Sequence, residues 1–132
     1  MRHKLKYRIL PERLAVCQLP PSARVSEWPL GHGFCCVTRT ADEFSLVCEE
    51  NRIPADVPSE RGWIALKLEG PFPFSMTGVL ASFLNPLAAA LVPIFAVSTF
   101  DTDYVLLKRE RLEAAQSALS KAGHALASSE SL

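Results

Sequence analysis

The stretch WIALKLEGPFPFSMTGVLASFLNPLAAALVPIFAVSTFDTDYVLLK, residues 63–108, changes its hydrophobic period twice, and those changes decide the fold. Trp63 to Glu69 alternates, with Ile64, Leu66 and Leu68 on one face and Lys67 and Glu69 on the other, the pattern of a strand. Gly70 to Thr77 is a loop rich in Gly, Pro and Ser. From Gly78 to Leu91 the apolar residues Val79, Leu80, Phe83, Leu84, Leu87, Ala88 and Leu91 fall at i, i+4 and i+8 spacing, which predicts a helix with Thr77 as its N-cap. Its opposite face, Ala81, Ser82, Asn85 and Ala89, is small and uncharged, so part of the outer side is expected to be covered as well. Pro86 removes one backbone donor and is expected to kink or break the helix. Pro93 opens a strand running through Phe100, Asp101-Thr102 is a two-residue turn, and Asp103 to Lys108 returns as the second arm of an antiparallel hairpin.

Reading outward from this stretch, Arg111 to Ala122 is a helix with Leu112, Ala115, Leu119 and Ala122 facing inward and Gly123 at C′. His124 to Ala127 supplies a short last strand, and the tail from Ser128 is expected to fray. The order β-α-β-β-α-β is that of a ferredoxin-like unit, with helices on one face of an antiparallel sheet. Upstream, the order is echoed faintly. Arg13 to Leu19 is a strand ending at Pro20-Pro21, and Ser22 to Trp28 is a loop or one helical turn. Gly33–Arg39 and Glu43–Glu49 form a hairpin about Ala41-Asp42, and Asn51 to Gly62 is a linker. The fold class is therefore α+β in two units, a degenerate one over residues 1–60 and a complete one over residues 61–132.

Composition narrows the function. Lys plus Arg and Asp plus Glu are 14 each, and no basic stripe with interleaved aromatics exists, so neither the net charge nor its pattern points to nucleic acid. The basic opening, Met1 to Arg8, is followed by Pro11-Glu12-Arg13 rather than an apolar segment and cleavage site, which predicts a cytosolic chain. Residues 70–100 carry no charge, but Pro71, Pro73, Gly78, Asn85, Pro86 and Pro93 interrupt them and the period changes, so a helix then a buried strand is expected instead of a membrane span. Cys17, Cys35, Cys36 and Cys48 match no C-x-x-C spacing and lie in apolar runs, as reduced strand residues do. His3, His32 and His124 are scattered, and no acid–base or nucleophile constellation appears, so no catalysis, metal or cofactor is expected. Gly31-His-Gly33 reads as a flexible loop and Lys108 to Arg111 as a solvated helix start.

At Val97-Ser-Thr-Phe-Asp-Thr-Asp-Tyr-Val-Leu-Leu107 the chain resembles the second ACT domain of the Castor-type cytosolic amino-acid sensors and their small bacterial relatives, where a Ser-Thr-aromatic-x-x-Asp strand–turn–strand follows a Gly-led helix. Cys36 to Cys48 is similar to that family's first hairpin and Trp63-Ile-Ala-Leu66 to its next strand. The likeness runs over residues 10–124 and is strongest from 62 to 110. It implies paired ACT units and a sensing role, with an amino acid held between ACT domains. With only two units per chain, the facing surface would come from a second copy, so a homodimer is implied. With no catalytic domain of its own, the chain would report to a separate protein partner.

A zwitterionic ligand needs donors for its carboxylate and acceptors for its ammonium. The loop leading to Gly78 ends at a helix N-terminus, where unpaired amides and the dipole favour an anion, so Thr77, Gly78 and Val79 are the carboxylate candidates. Asp103, at the start of an otherwise apolar strand, is the candidate acceptor for the ammonium and matches the family's ligand-contacting acid. Ser98 and Thr99 offer hydroxyls beside it. By family position, the resemblance adds Pro93 and Ile94 as backbone contacts, Phe100 as a wall, and Glu69 with Gly70 as the near edge. Pro93 stands where the family can place a hydroxyl, which implies a ligand other than arginine. The other reading left open is a structural or adaptor protein that kept the fold and lost its ligand.

Overall fold

The computed structural model describes residues 3–24 and 33–127; the expectations for residues 25–32 and for the tail from Ser128 lie outside the described residues. Its elements run β1 (Lys6–Ile9), β2 (Leu14–Leu19), β3 (Cys36–Arg39), β4 (Phe44–Glu49), β5 (Ser59–Leu68), α1 (Val79–Ala89), β6 (Ile94–Ser98), β7 (Asp103–Lys108), α2 (Leu112–Lys121) and β8 (Ala125–Leu126). Two units result: Pro11 to Ile64, and the residues through Leu10 joined with those from Ala65 onward.

The first unit, Pro11 to Ile64, is a sheet in the order β3-β4-β2-β5. Arg39 pairs with Phe44 across the β3–β4 turn, and β2 runs antiparallel to β4 from Leu14 opposite Glu49 to Leu19 opposite Phe44. Period-two alternation turns Ala15, Cys17, Phe44, Leu46 and Cys48 to one face, where Ile53 completes a core and Cys35 packs against it. All four cysteines are free thiols. Burial pushes the Cys17 thiol up, and burial together with the neighbouring Cys17, Cys35 and Glu49 pushes Cys48 up to about 11. Among the described residues, no three His, Cys, Asp or Glu side chains are grouped to hold a metal ion. The Arg39 guanidinium lies 4.2 Å from the Phe44 ring centroid and donates to the Pro21 and Ala23 carbonyls, tying down the loop after β2.

The expected linker up to Gly62 is strand from Ser59 onward. Ser59-Glu-Arg-Gly62 has no hydrophobic alternation, and β2 supplies its pairing instead, with Cys17 opposite Ser59 and Val16 opposite Glu60. The register slips before Leu14 meets Trp63, and Gly62 takes up the slip at φ 84° while donating its N–H to Glu50 Oε1 at 3.0 Å.

In the second unit the strands lie in the order β8-β1-β5-β7-β6, with the β5 residues from Ala65 onward taking part. β1 comes from the basic N-terminal segment that the sequence reading assigned to the first unit. It inserts here because Leu5 and Tyr7 are buried and Tyr7, Arg8 and Ile9 face Leu68, Lys67 and Leu66 antiparallel. β8 pairs with β1 in parallel, so the sheet is mixed rather than wholly antiparallel. The core is built from Tyr7, Leu66, Leu68, Val79, Phe83, Leu87, Val105, Leu106, Leu107, Ala115 and Leu119. Each large side chain here contributes about 1.5–3 kcal/mol through burial. Tyr7 meets the Phe83 ring edge-on at 5.4 Å. Leu91 and Ala122, expected inside, are exposed: α1 ends at Ala89, Leu91 turns outward at φ 60° with Val92 buried in its place, and α2 ends at Lys121. Gly123 takes φ 93° just beyond α2, as a C′ glycine does.

Pro86 sits inside α1 without ending it. A proline cannot donate to the Ser82 carbonyl four residues back. That carbonyl is satisfied by buried His124, whose Nε2–H donates to it at 2.9 Å, while His124 Nδ1 accepts the Leu5 N–H at 3.0 Å. The two bonds together define a neutral Nε2–H tautomer. His3 joins the same seam, donating its backbone N–H to Ser82 Oγ at 3.0 Å and Nε2 to the Thr77 carbonyl at 2.8 Å. Two histidines scattered in sequence therefore hold one helix.

Among the described residues, no helix is long and apolar enough to cross a membrane. The uncharged stretch 70–100 resolves into a loop, α1 and β6.

Candidate functional site

Helix α1 begins at Gly78, which takes φ 79° and ψ 0°, and no side chain caps it. Thr77, expected to cap, is turned by the left-handed glycine so that its carbonyl meets His3 instead. The first intrahelical bond is Ser82 N–H to the Gly78 carbonyl, at 2.9 Å. The amides of Val79, Leu80 and Ala81 therefore have no carbonyl of their own helix to bond. These three residues and Gly78 line one side of an open crevice of about 320 Å³.

The opposite side comes from the β6–β7 hairpin. Ser98 pairs with Asp103 in the ladder, and the Ser98 hydroxyl donates to Asp103 Oδ1. The Thr99 N–H and hydroxyl both reach the Thr102 carbonyl, at 2.8 and 3.1 Å. Thr102 is buried and donates its hydroxyl to the Leu68 carbonyl at 2.7 Å, anchoring the hairpin end to β5. The turn is thus closed by Thr99 and Thr102, and Phe100 is not in a strand as predicted but at the tip, 81% exposed. The expected two-residue turn at Asp101-Thr102 is displaced by one position.

The loop before α1 forms the rim. Phe72 N–H donates to the Asp101 carbonyl at 2.8 Å, and a Cβ at Gly70 would lie 2.8 Å from that same oxygen, so Gly70 is required where loop and hairpin cross. Phe74 is 78% exposed and meets Phe100 edge-on, with centroids 5.3 Å apart. Met76 completes the apolar rim.

The crevice brings together Gly78, Val79, Ser98, Thr99, Phe100 and Asp103. Glu69, Gly70, Thr77, Pro93 and Ile94 do not line it. Glu69 is engaged by Arg8, whose Nε lies 2.6 Å from Oε1, and with Gly70 it borders a separate hollow of about 160 Å³. Ile94 faces Leu107 at the far end of β6, four residues and about 13 Å from Ser98, and Pro93 lies one residue beyond. Phe72, Phe74, Met76 and Asp101 also line the crevice but were not singled out. Their signal was present: a proline-rich loop that spends three positions on large apolar side chains.

A larger hollow, about 670 Å³, runs along the outer face of α1 between His3, Asn85 and His124. His3 Nε2 and both ring nitrogens of His124 are already engaged with Thr77, Ser82 and Leu5. The smaller crevice is the better candidate, because helix-start amides and a carboxylate line it together; both hollows lie within the roughly 300–1,000 Å³ usual for small-molecule sites.

With this geometry in place, comparison with known proteins identifies the class. Residues 58–121 match the ACT domain family model, and residues 12–56 match a separate N-terminal domain model. The part of the chain that carries the crevice is an ACT domain. The solved structure of protein Atu0741 from Agrobacterium tumefaciens is 40% identical, has a TM-score of 0.90, and the match covers 95% of this chain and 93% of that one, so the chain belongs to the same family as Atu0741. Two further structures are similar at identities that show the fold alone. VC0802 from Vibrio cholerae is 16% identical with a TM-score of 0.73, covering 91% of each chain. The regulatory subunit of aspartate kinase from Thermus thermophilus is 12% identical with a TM-score of 0.58, covering 86% of this chain and 96% of its own. No curated protein matches the chain.

Proposed function

We propose that this chain is a non-catalytic regulatory module that binds a free amino acid in the crevice at the start of α1. One observation carries the reading: unsatisfied helix-start amides and the Asp103 carboxylate line opposite sides of one crevice. The amides and the helix dipole suit the ligand's carboxylate. Asp103, already oriented by Ser98, suits its ammonium. A homodimer would close the open side, and a separate protein would receive the signal, as the Castor-type resemblance implies; the regulatory subunit of aspartate kinase shares the fold. A cytosolic setting suits a sensor of free amino acids.

A thermal-shift screen with the twenty amino acids tests this. A ligand at a hundred times its dissociation constant adds about 2.7 kcal/mol to stability, and Asp103→Ala should abolish the shift without lowering the unliganded melting temperature by more than about 2 °C. Flat curves for all twenty would reject the reading. They would favour an adaptor, for which the alanine-lined hollow between α1 and α2 (Ala89, Ala90, Ala114, Ala118, Ala122) is the supporting feature.

A further inference from the structure

We infer that the amino acid recognised is one with an uncharged hydrophobic side chain, of the leucine, methionine or phenylalanine kind; this rests on the crevice being the binding site. Phe74 and Phe100 are 78% and 81% exposed and stand edge-to-face beside Met76, itself 43% exposed. Isolated exposed apolar residues are ordinary, but two phenylalanine rings and a methionine gathered on one rim are an apolar patch at a concave site, the mark of a contact surface. A ligand whose carboxylate lies at the α1 amides and whose ammonium lies at Asp103 has this rim left for its side chain.

Charge selects in the same direction. Among the described residues, Asp101 and Asp103 are the charged ones lining the crevice, and no Lys or Arg lines it. An acidic side chain would face carboxylates without a cation to answer it. A basic one would find only Asp101, on the exposed hairpin tip, where an ion pair in water adds little. A hydrophobic side chain laid against Phe74 and Phe100 removes apolar surface from water on both partners, and each added methylene deepens the gain.

Isothermal titration of the full chain with leucine, methionine, phenylalanine, alanine, lysine and glutamate tests the inference, repeated on Phe100→Ala and Phe74→Ala. At least one large hydrophobic amino acid should bind about tenfold tighter than alanine. Either ring deletion should erase that advantage, weakening the large hydrophobic amino acid about tenfold more than alanine. Both rings are exposed, so the variants should melt as the parent does. Tightest binding by lysine or glutamate would overturn the side-chain class and leave the crevice reading standing. No heat with any amino acid would overturn both. Equal weakening of leucine and alanine by Phe100→Ala, with loss of the dimer in light scattering, would also overturn it by assigning the rings to assembly.

Discussion

The two units carry hollows of equal volume, about 320 Å³ each, with different chemistry. The hollow of the first unit is lined by Glu12, Arg13, Glu49, Glu50 and Asn51, and its groups already serve the fold. Arg52 donates to Glu49 at 3.3 Å, the Glu50 carboxylate accepts the Gly62 N–H, and the Arg13 carbonyl accepts the Glu50 N–H. The crevice of the second unit exposes helix-start amides, a carboxylate held by one serine, and two phenylalanine rings. The difference follows from what joins the strands. In the first unit the described connections are turns and one 3-10 turn, Glu50–Arg52, whereas in the second a glycine-started helix ends its N-terminus over a hairpin. The groups left free of the fold's own bonding sit where a helix begins, not where strands simply turn, and the proposed site is placed there for that reason.

Core truncation is the strongest way to probe this contrast. Phe44 in the first unit and Phe83 in the second are both fully buried, so either change to Ala should lower stability by about 3–5 kcal/mol, read from urea midpoints. Near-zero loss at one of them would mean that its unit has no cooperative core, and the comparison would fail there.

A smaller effect probes the seam that keeps α1 intact. His124→Ala leaves the Ser82 carbonyl and the Leu5 N–H without their partner and should lower stability by about 2 kcal/mol. Pro86→Ala made in that background restores a helical donor for Ser82 and should recover about 1 kcal/mol, more than it gains in the parent. Equal effects in both backgrounds would show no coupling between the two residues.

The first unit's thiol core should show in alkali. Cys48 is pushed up to about 11 from the ordinary 9.0, and Cys17 moves the same way. Between these values the unfolded chain has lost the proton that the folded chain keeps. The unfolded state then binds fewer protons, so stability is intact below pH 9 and falls as pH rises toward 11, by up to about 1.4 kcal/mol per pH unit per thiol. Cys48→Ala should flatten the slope of stability above pH 9; an unchanged slope would place the effect elsewhere, Cys35 and Tyr7 also being raised by burial.

Legibility in sequence followed locality. β7 was expected at Asp103 to Lys108 and spans those residues, and α1 was visible in its spacing, because both announce themselves by period. β1 was missed although Leu5, Tyr7 and Ile9 alternate with Lys4, Lys6 and Arg8, since its partner lies some sixty residues away and no local signal names it. The tolerance of Pro86 depends on a histidine 38 residues downstream, equally invisible to a helical window. In the crevice, Gly78 and Asp103 were readable from residue type and position. The Phe100 tip was not, because side-chain and backbone bonds between Thr99 and Thr102 set the turn one residue earlier than the Asp-Thr pair suggests.

The most direct test of the central claim is an amide ¹⁵N–¹H NMR titration of the full chain with a stabilising amino acid. The account predicts that the amides of Val79, Leu80 and Ala81 and those around Asp103 shift together with one dissociation constant, while Phe44, Leu46 and Cys48 stay in place. Shifts centred on Glu12, Glu49 and Glu50, or none at Val79 to Ala81 under saturation, would contradict it.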